Sequence, residues 1–247
     1  YMGESMELTI PADFKSVIFW GESGDTKPVF MPKGLSMAGS HDLIRFYNLD
    51  LQNTSSANDY IVNFNVEGTV GEILIDNCNI SKTRGVVRVQ SDGAKGSIGS
   101  INIDNCVLTD IGSYGVLQTK VSGFTLNSVS LSNSTVNTLS AGGVLVTQQD
   151  NVHISIDACT FYNCVATGKS FIDINKMSNV TVDVKNTIIG QLYSYTAEST
   201  IKATSVKGIA TTTNLFTTTD CPYNSGYEWG EILSVSSTEL FVNPAEG

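Results

Sequence analysis

The chain has 247 residues, with 24 acidic against 14 basic side chains and a formal charge of −10. That charge argues against a nucleic-acid partner, because phosphate binding needs a concentrated positive face, and it would repel a polyanionic glycan unless a local basic patch or bridging cations intervened. No apolar run approaches the about 18 residues of a membrane span, while Gly, Ser, Thr and Asn scattered among Val and Ile favour short strands and tight turns.

Residues 8–30, LTIPADFKSVIFWGESGDTKPVF, read as an incomplete first rung with its own turn, so 1–30 is expected to form an N-terminal cap. From there to 217 the chain repeats. One position recurs at Phe46, Ile75, Ile103, Leu131, Ile156, Val184 and Thr212, at intervals of 29, 28, 28, 25, 28 and 28. Two residues later stand Asn48, Asn77, Asn105, Asn133, Ala158, Asn186 and Asn214. A second strand-like run fills each unit: YIVNFN at 60–65, VVRVQ at 86–90, VLQTK at 116–120, VLVTQ at 144–148, FIDIN at 171–175 and TIKAT at 200–204. A third, clipped strand follows each Asn, as in CNIS at 78–81.

A period of this length is the mark of a stacked architecture. Three short strands per unit, each returning one strand spacing higher, predict an all-β chain. The expected fold is a right-handed parallel β-helix of about eight rungs with three parallel sheets. The Asn positions fall at bends, where asparagine tolerates a left-handed backbone and its amide can bond to the rung above or below. Alternation then points the next residue inward, giving the column Leu49, Cys78, Cys106, Ser134, Cys159, Thr187 and Leu215. The twice-repeated Ile-Asp-Asn-Cys is therefore scaffold, with cysteine as core filler. Cys164 and Cys221 fall outside the column, in a loop and in the last segment. Residues 218–247, opening with CPYNSGYEWG after Asp220, break the repeat and are expected to form an irregular C-terminal cap.

The strand order, the Asn ladder and the roughly 28-residue rung together resemble the pectate lyase and pectin lyase-like family of parallel β-helices. The closing LFVNPAEG is similar to the tail after the last rung of many bacterial glycan-associated β-helix proteins. The resemblance implies an extracytoplasmic address (secreted, periplasmic or cell-surface) and a polysaccharide or oligosaccharide ligand held along the VVRVQ set of strands. It does not give a reaction.

On that set Arg88, Gln118, Asp173 and Lys202 form one outward column, and Gln90, Lys120, Gln148 and Asn175 another. A column of Ile61, Val86, Val116, Val144 and Phe171 is expected to border them on the loop side. Amides match sugar hydroxyls as both donors and acceptors, so this strip suits a neutral or mixed-charge sugar chain. Loops carrying Arg84, Tyr114, Tyr193 and Tyr195 wall it and lengthen toward the C-terminus, which predicts the deepest cleft near Asp173 and Tyr193.

The leading expectation is thus a polysaccharide-recognition protein. The alternatives are a polysaccharide lyase or glycoside hydrolase with a non-standard site, and a structural or adhesive rod. Hydrolysis needs two flanking carboxylates, and the strip offers only Asp173. A lyase needs a base and positive charge on the uronate, for which Arg88 and Lys120 are candidates without the family's aspartate cluster. No cofactor motif is present, and calcium is admitted only at Asp76 and Asp104, one rung apart.

Overall fold

The computed structural model describes residues 6–90, 95–140, 142–175 and 177–241. Over these residues the chain winds as a parallel β-solenoid of about seven turns, with almost no helix. Each turn lays strands on three faces. Face A is an eight-stranded parallel sheet running from Met6–Ile10 through Pro32–Met37, Tyr60–Phe64, Gly85–Val89, Leu117–Thr119, Leu145–Thr147 and Ser170–Asp173 to Lys202–Thr204. Face B follows in each turn, from Ser16–Trp20 through Gly39–Tyr47, Gly68–Asp76 and Ser97–Asp104 to Thr181–Ile189. Face C holds the clipped strands, from Val29–Phe30 to Thr160–Ala166. Faces B and C join into one hydrogen-bonded sheet. Thr181–Ile189 runs unbroken through its bend and pairs with His153–Asp157 at one end and Thr160–Ala166 at the other.

The register is the one the repeat predicts. Phe46 lies beside Ile75, and then Ile103, Leu131, Ile156, Val184 and Thr212 follow in turn. Between faces B and C the seven bend residues all adopt left-handed backbone, with φ from 48° to 55°. Ala158 does so too, at 53°, although a Cβ there costs roughly 1–2 kcal/mol. The coils above and below impose the bend, and asparagine merely suits it.

The amide ladder itself is mixed. Asn77 donates to Asn48 Oδ1 at 3.2 Å and Asn214 to Asn186 Oδ1 at 3.0 Å. Asn133 and Asn186 turn instead to the carboxylates of Asp104 and Asp157, at 2.8 and 2.9 Å.

The inward column is buried throughout, and all five cysteines are free thiols in the interior. Cys164 corrects the sequence reading: it lies in the strand Thr160–Ala166 and points into the core. The cause is a second left-handed column, at Lys82, Asp110, Thr138 and Asn163, with φ from 51° to 64°. A left-handed residue inside a strand breaks the alternation, so Thr83, Ile111, Leu139 and Cys164 turn inward.

The C-terminal end is closed by a polar knot. Buried Asp220 accepts hydrogen bonds from Thr218 Oγ1 at 2.5 Å and from Ser237 Oγ at 2.9 Å, at the start of a four-residue helix. At the N-terminal end, Phe19 stacks between Phe30 and Phe46, with centroids 5.0 and 5.1 Å away.

Candidate functional site

Face A presents the sequence-predicted strip, and its two halves are chemically unlike. Arg88 projects between inward Val87 and Val89, flanked in register by Asn63 and Gln118. Its Nη1 donates to the Tyr60 hydroxyl at 2.7 Å. Its guanidinium carbon lies 4.8 Å from the Tyr60 ring centroid and 4.6 Å from that of Tyr114. Arg84 stacks on the same Tyr114 ring at 4.5 Å, and its Nε donates to Ser113 Oγ at 3.3 Å. The two tyrosine rings are 5.6 Å apart. Cation–π contacts of this kind stabilise by roughly 0.5–2 kcal/mol each and hold the guanidiniums at fixed angles.

Backbone construction makes the cluster rigid. The 53–59 loop is pinned where the Arg84 amide donates to the carbonyls of Asn58 and Asp59, at 3.1 and 3.0 Å. Buried Thr83 Oγ1 donates to the carbonyls of Gly85 and Asp59 and accepts from Asn53 Nδ2. Gly85 allows the rings to close, because a Cβ there would stand 2.9 Å from Tyr114 Cβ and 3.4 Å from Tyr60 Cδ1. Gly112 packs on the same loop, where a Cβ would meet the Ser56 carbonyl oxygen.

Beside this cluster lies an open polar pocket of about 550 Å³, lined by Lys33, Thr54, Asn58, Asp59, Tyr60, Arg84 and Arg88. Three cations face one carboxylate there, on a chain whose total charge is −10. Among the described residues neither guanidinium forms an ion pair. Burial pushes the Tyr60 phenol above its ordinary pKa, outweighing the opposing pull of Arg88. The phenol therefore keeps its proton. With Arg88 donating to its oxygen, that proton is left to donate to a ligand.

One to three rungs along, the other half holds its own ion pair. Lys120 Nζ lies 3.0 Å from Asp173 Oδ2, a pair that reaches across the intervening rung. On the Arg88 rung itself Gln90 donates to Asn63 Oδ1 at 3.1 Å, and at the far end the Asn175 amide N–H donates to Asp173. Gln148 and Asn175 are exposed, while Gln118 is partly buried. Tyr193 pairs in the short strand Leu192–Tyr193, and Tyr195 stands exposed beyond it.

The apolar column Ile61, Val86, Val116, Val144 and Phe171 is core and no border to the strip. Phe171 meets interior Phe161 edge to face at 4.8 Å. The chain packs two successive residues inward at this corner, which strict alternation misses.

Asp76 and Asp104 are register neighbours on face B, but each is engaged. Asp76 pairs with Arg45 at 2.8 Å, and Asp104 accepts from Ser132 and Asn133. No group of three or more His, Cys, Asp or Glu side chains that could hold a metal occurs among the described residues.

Lys33 and Tyr60 were not singled out from sequence. Their signal was the register itself, since Tyr60 lies opposite Gly85, one residue beyond Arg84. No protein-family model, curated protein or solved structure matches this chain. Among the described residues no helix is long and apolar enough to cross a membrane.

Proposed function

We propose that this β-solenoid is a secreted or cell-surface glycan-recognition protein that grips an acidic sugar at the pocket lined by Lys33, Tyr60, Arg84 and Arg88. One observation carries the reading: two guanidiniums with no carboxylate partner among the described residues, stacked on tyrosines and lining a pocket with Lys33, on an acidic chain. Arginine forks match carboxylate and sulfate oxygens in geometry as well as charge, and tyrosine offers an apolar ring with a polar tip. The basic cluster moves the expected ligand from a neutral to an acid-bearing sugar. Gln90, Gln118, Lys120 and Gln148 then provide a polar track for adjoining residues of the chain.

The test is calorimetric titration with uronate-containing, sulfated and neutral oligosaccharides. Saturable binding of an acidic ligand that is lost in Arg84→Ala/Arg88→Ala supports the reading. Acidic ligands that bind the variant and the native protein equally well overturn it.

A lyase is the second reading, favoured by one contact. The Tyr60 phenol sits hydrogen-bonded to Arg88 beside a place for a uronate carboxylate. Its raised pKa makes it a poor base at neutral pH, so binding without turnover is the better account. Unsaturated uronate products from the same panel would reverse that order.

A further inference from the structure

Face B carries a different surface at its N-terminal end. In Ser16–Trp20, Val17 and Phe19 turn inward, leaving Ile18 and Trp20 outside, 57% and 71% exposed. Tyr47 is the register neighbour of Trp20, and Arg45 that of Ile18. Arg45 stacks on Tyr47 at 4.9 Å and pairs with Asp76 at 2.8 Å, while its Nε has no acceptor among the described residues. Ile18, Trp20, Arg45, Tyr47 and Asp76 line a cavity of about 500 Å³.

We infer that this platform is a second glycan site, distinct from the face A cavity, and that it takes neutral pyranose rings. A pyranose has an apolar C–H face that covers an indole and a hydroxyl edge that both donates and accepts. Arg45 supplies donors and Asp76 acceptors at the border of the aromatic surface. Below it, along the coil axis, the face continues in polar side chains. Asn102 donates to Glu72 at 2.6 Å, Ser130 to Asn102 at 2.6 Å and Ser132 to Asp104 at 2.6 Å.

Charge selects the ligand class. Glu72, Asp104, Asp157 and Asp183 share this face with the cation Lys185, while Asp76 is paired with Arg45, and the net acidic field disfavours an anionic sugar. A protein partner fits less well, since docking there would strip water from the Arg45–Asp76 pair. Sugar hydroxyls replace that water.

The chain has two tryptophans, and Trp229 is buried, so a change in the exposed emission component reports on Trp20. Linear neutral oligosaccharides of glucose, mannose, galactose and xylose are titrated into the protein, with emission and calorimetry as readouts. The expected result is a saturable blue shift with at least one series, and affinity about tenfold or more weaker in Trp20→Ala. Arg84→Ala/Arg88→Ala should leave that affinity unchanged, which separates this site from the acidic-sugar reading. Trp20 is exposed, so equal thermal melting of the variant checks that the fold is intact. An unshifted emission with every series overturns the inference. So does a Trp20-dependent dimer in sedimentation, which would make the platform an interface between copies.

Discussion

The two halves of face A are built from the same kinds of residue, yet they behave oppositely. Toward the C-terminal half, Lys120 meets Asp173 and the two charges satisfy each other. Lys202 and Lys207 both lie 5.0 Å from the Tyr227 ring, beside a cavity of only about 50 Å³. Toward the N-terminal half, Arg84 and Arg88 meet tyrosine rings, and their charge is held in place without being cancelled. An exposed ion pair contributes little to stability and leaves little field to attract a ligand. A guanidinium fixed on an aromatic ring keeps its hydrogen-bond donors available. Partner chemistry together with the room left for a ligand, more than the count of charges, separates a site from a surface.

That contrast can be broken in several ways. The largest effect is expected from Arg84→Ala/Arg88→Ala, which should weaken an acidic oligosaccharide about 100-fold or more in calorimetry. Lys120→Ala should change the same affinity by less than about threefold, since its charge is already spent on Asp173.

Ionic strength sharpens the comparison next. Raising salt from about 0.01 to about 0.15 M shortens the Debye length from about 30 to about 8 Å. Acidic-sugar affinity should fall on that change, while neutral-sugar binding at Trp20 stays level.

Gly85→Ala tests the tyrosine clamp directly. Its Cβ would press on Tyr114 Cβ at 2.9 Å, so thermal melting should show a loss of about 1–3 kcal/mol and titration a several-fold weaker acidic ligand. The same glycine change at Gly142, where a Cβ meets nothing within 4 Å and so presses on no ring, should leave binding intact.

The last effect is a pH dependence shared by both halves, because it belongs to the core. Burial pushes the Cys159 thiol up to about 11 and Cys221 up to about 12, from near 9. The folded state thus holds protons that the unfolded chain releases. The stability linked to these thiols is complete below pH 9 and is lost as pH rises through 11 to 12. Denaturant midpoints should fall over that window, by no more than about 1.4 kcal/mol per pH unit for each thiol. Cys159→Ser should flatten part of the slope.

The scaffold was legible because it is periodic. Intervals near 28 placed every B–C bend, down to Ala158, where the residue type argued against it and the spacing argued for it. The cysteine column followed from alternation alone. Alternation failed where the backbone turns left-handed inside a strand, so Cys164 was read as loop. It failed again at the corner before face A, where Val86 and Val87 both point inward.

The site was half legible. Arg84, Arg88 and Tyr114 stood out as polar or aromatic groups near an outward strip. Tyr60 and Lys33 belong to earlier rungs, and only register pairing brings them against Arg88. Which cations would be neutralised was illegible as well: the Lys120–Asp173 contact spans 53 residues, and a column of letters does not show how far a side chain reaches. Trp20 was hidden for another reason, because the first coil departs from the repeat and its outward face had no column to join.

The most direct measurement compares a uronate oligosaccharide with its carboxyl-reduced counterpart, identical in length and linkage, titrated into the native protein at low salt. The account predicts that the acid form binds about 100-fold more tightly, with the difference vanishing in Arg84→Ala/Arg88→Ala. Equal affinity for the two forms would contradict it, since a cavity holding unpaired guanidiniums would then be ignoring the charge it is built to meet.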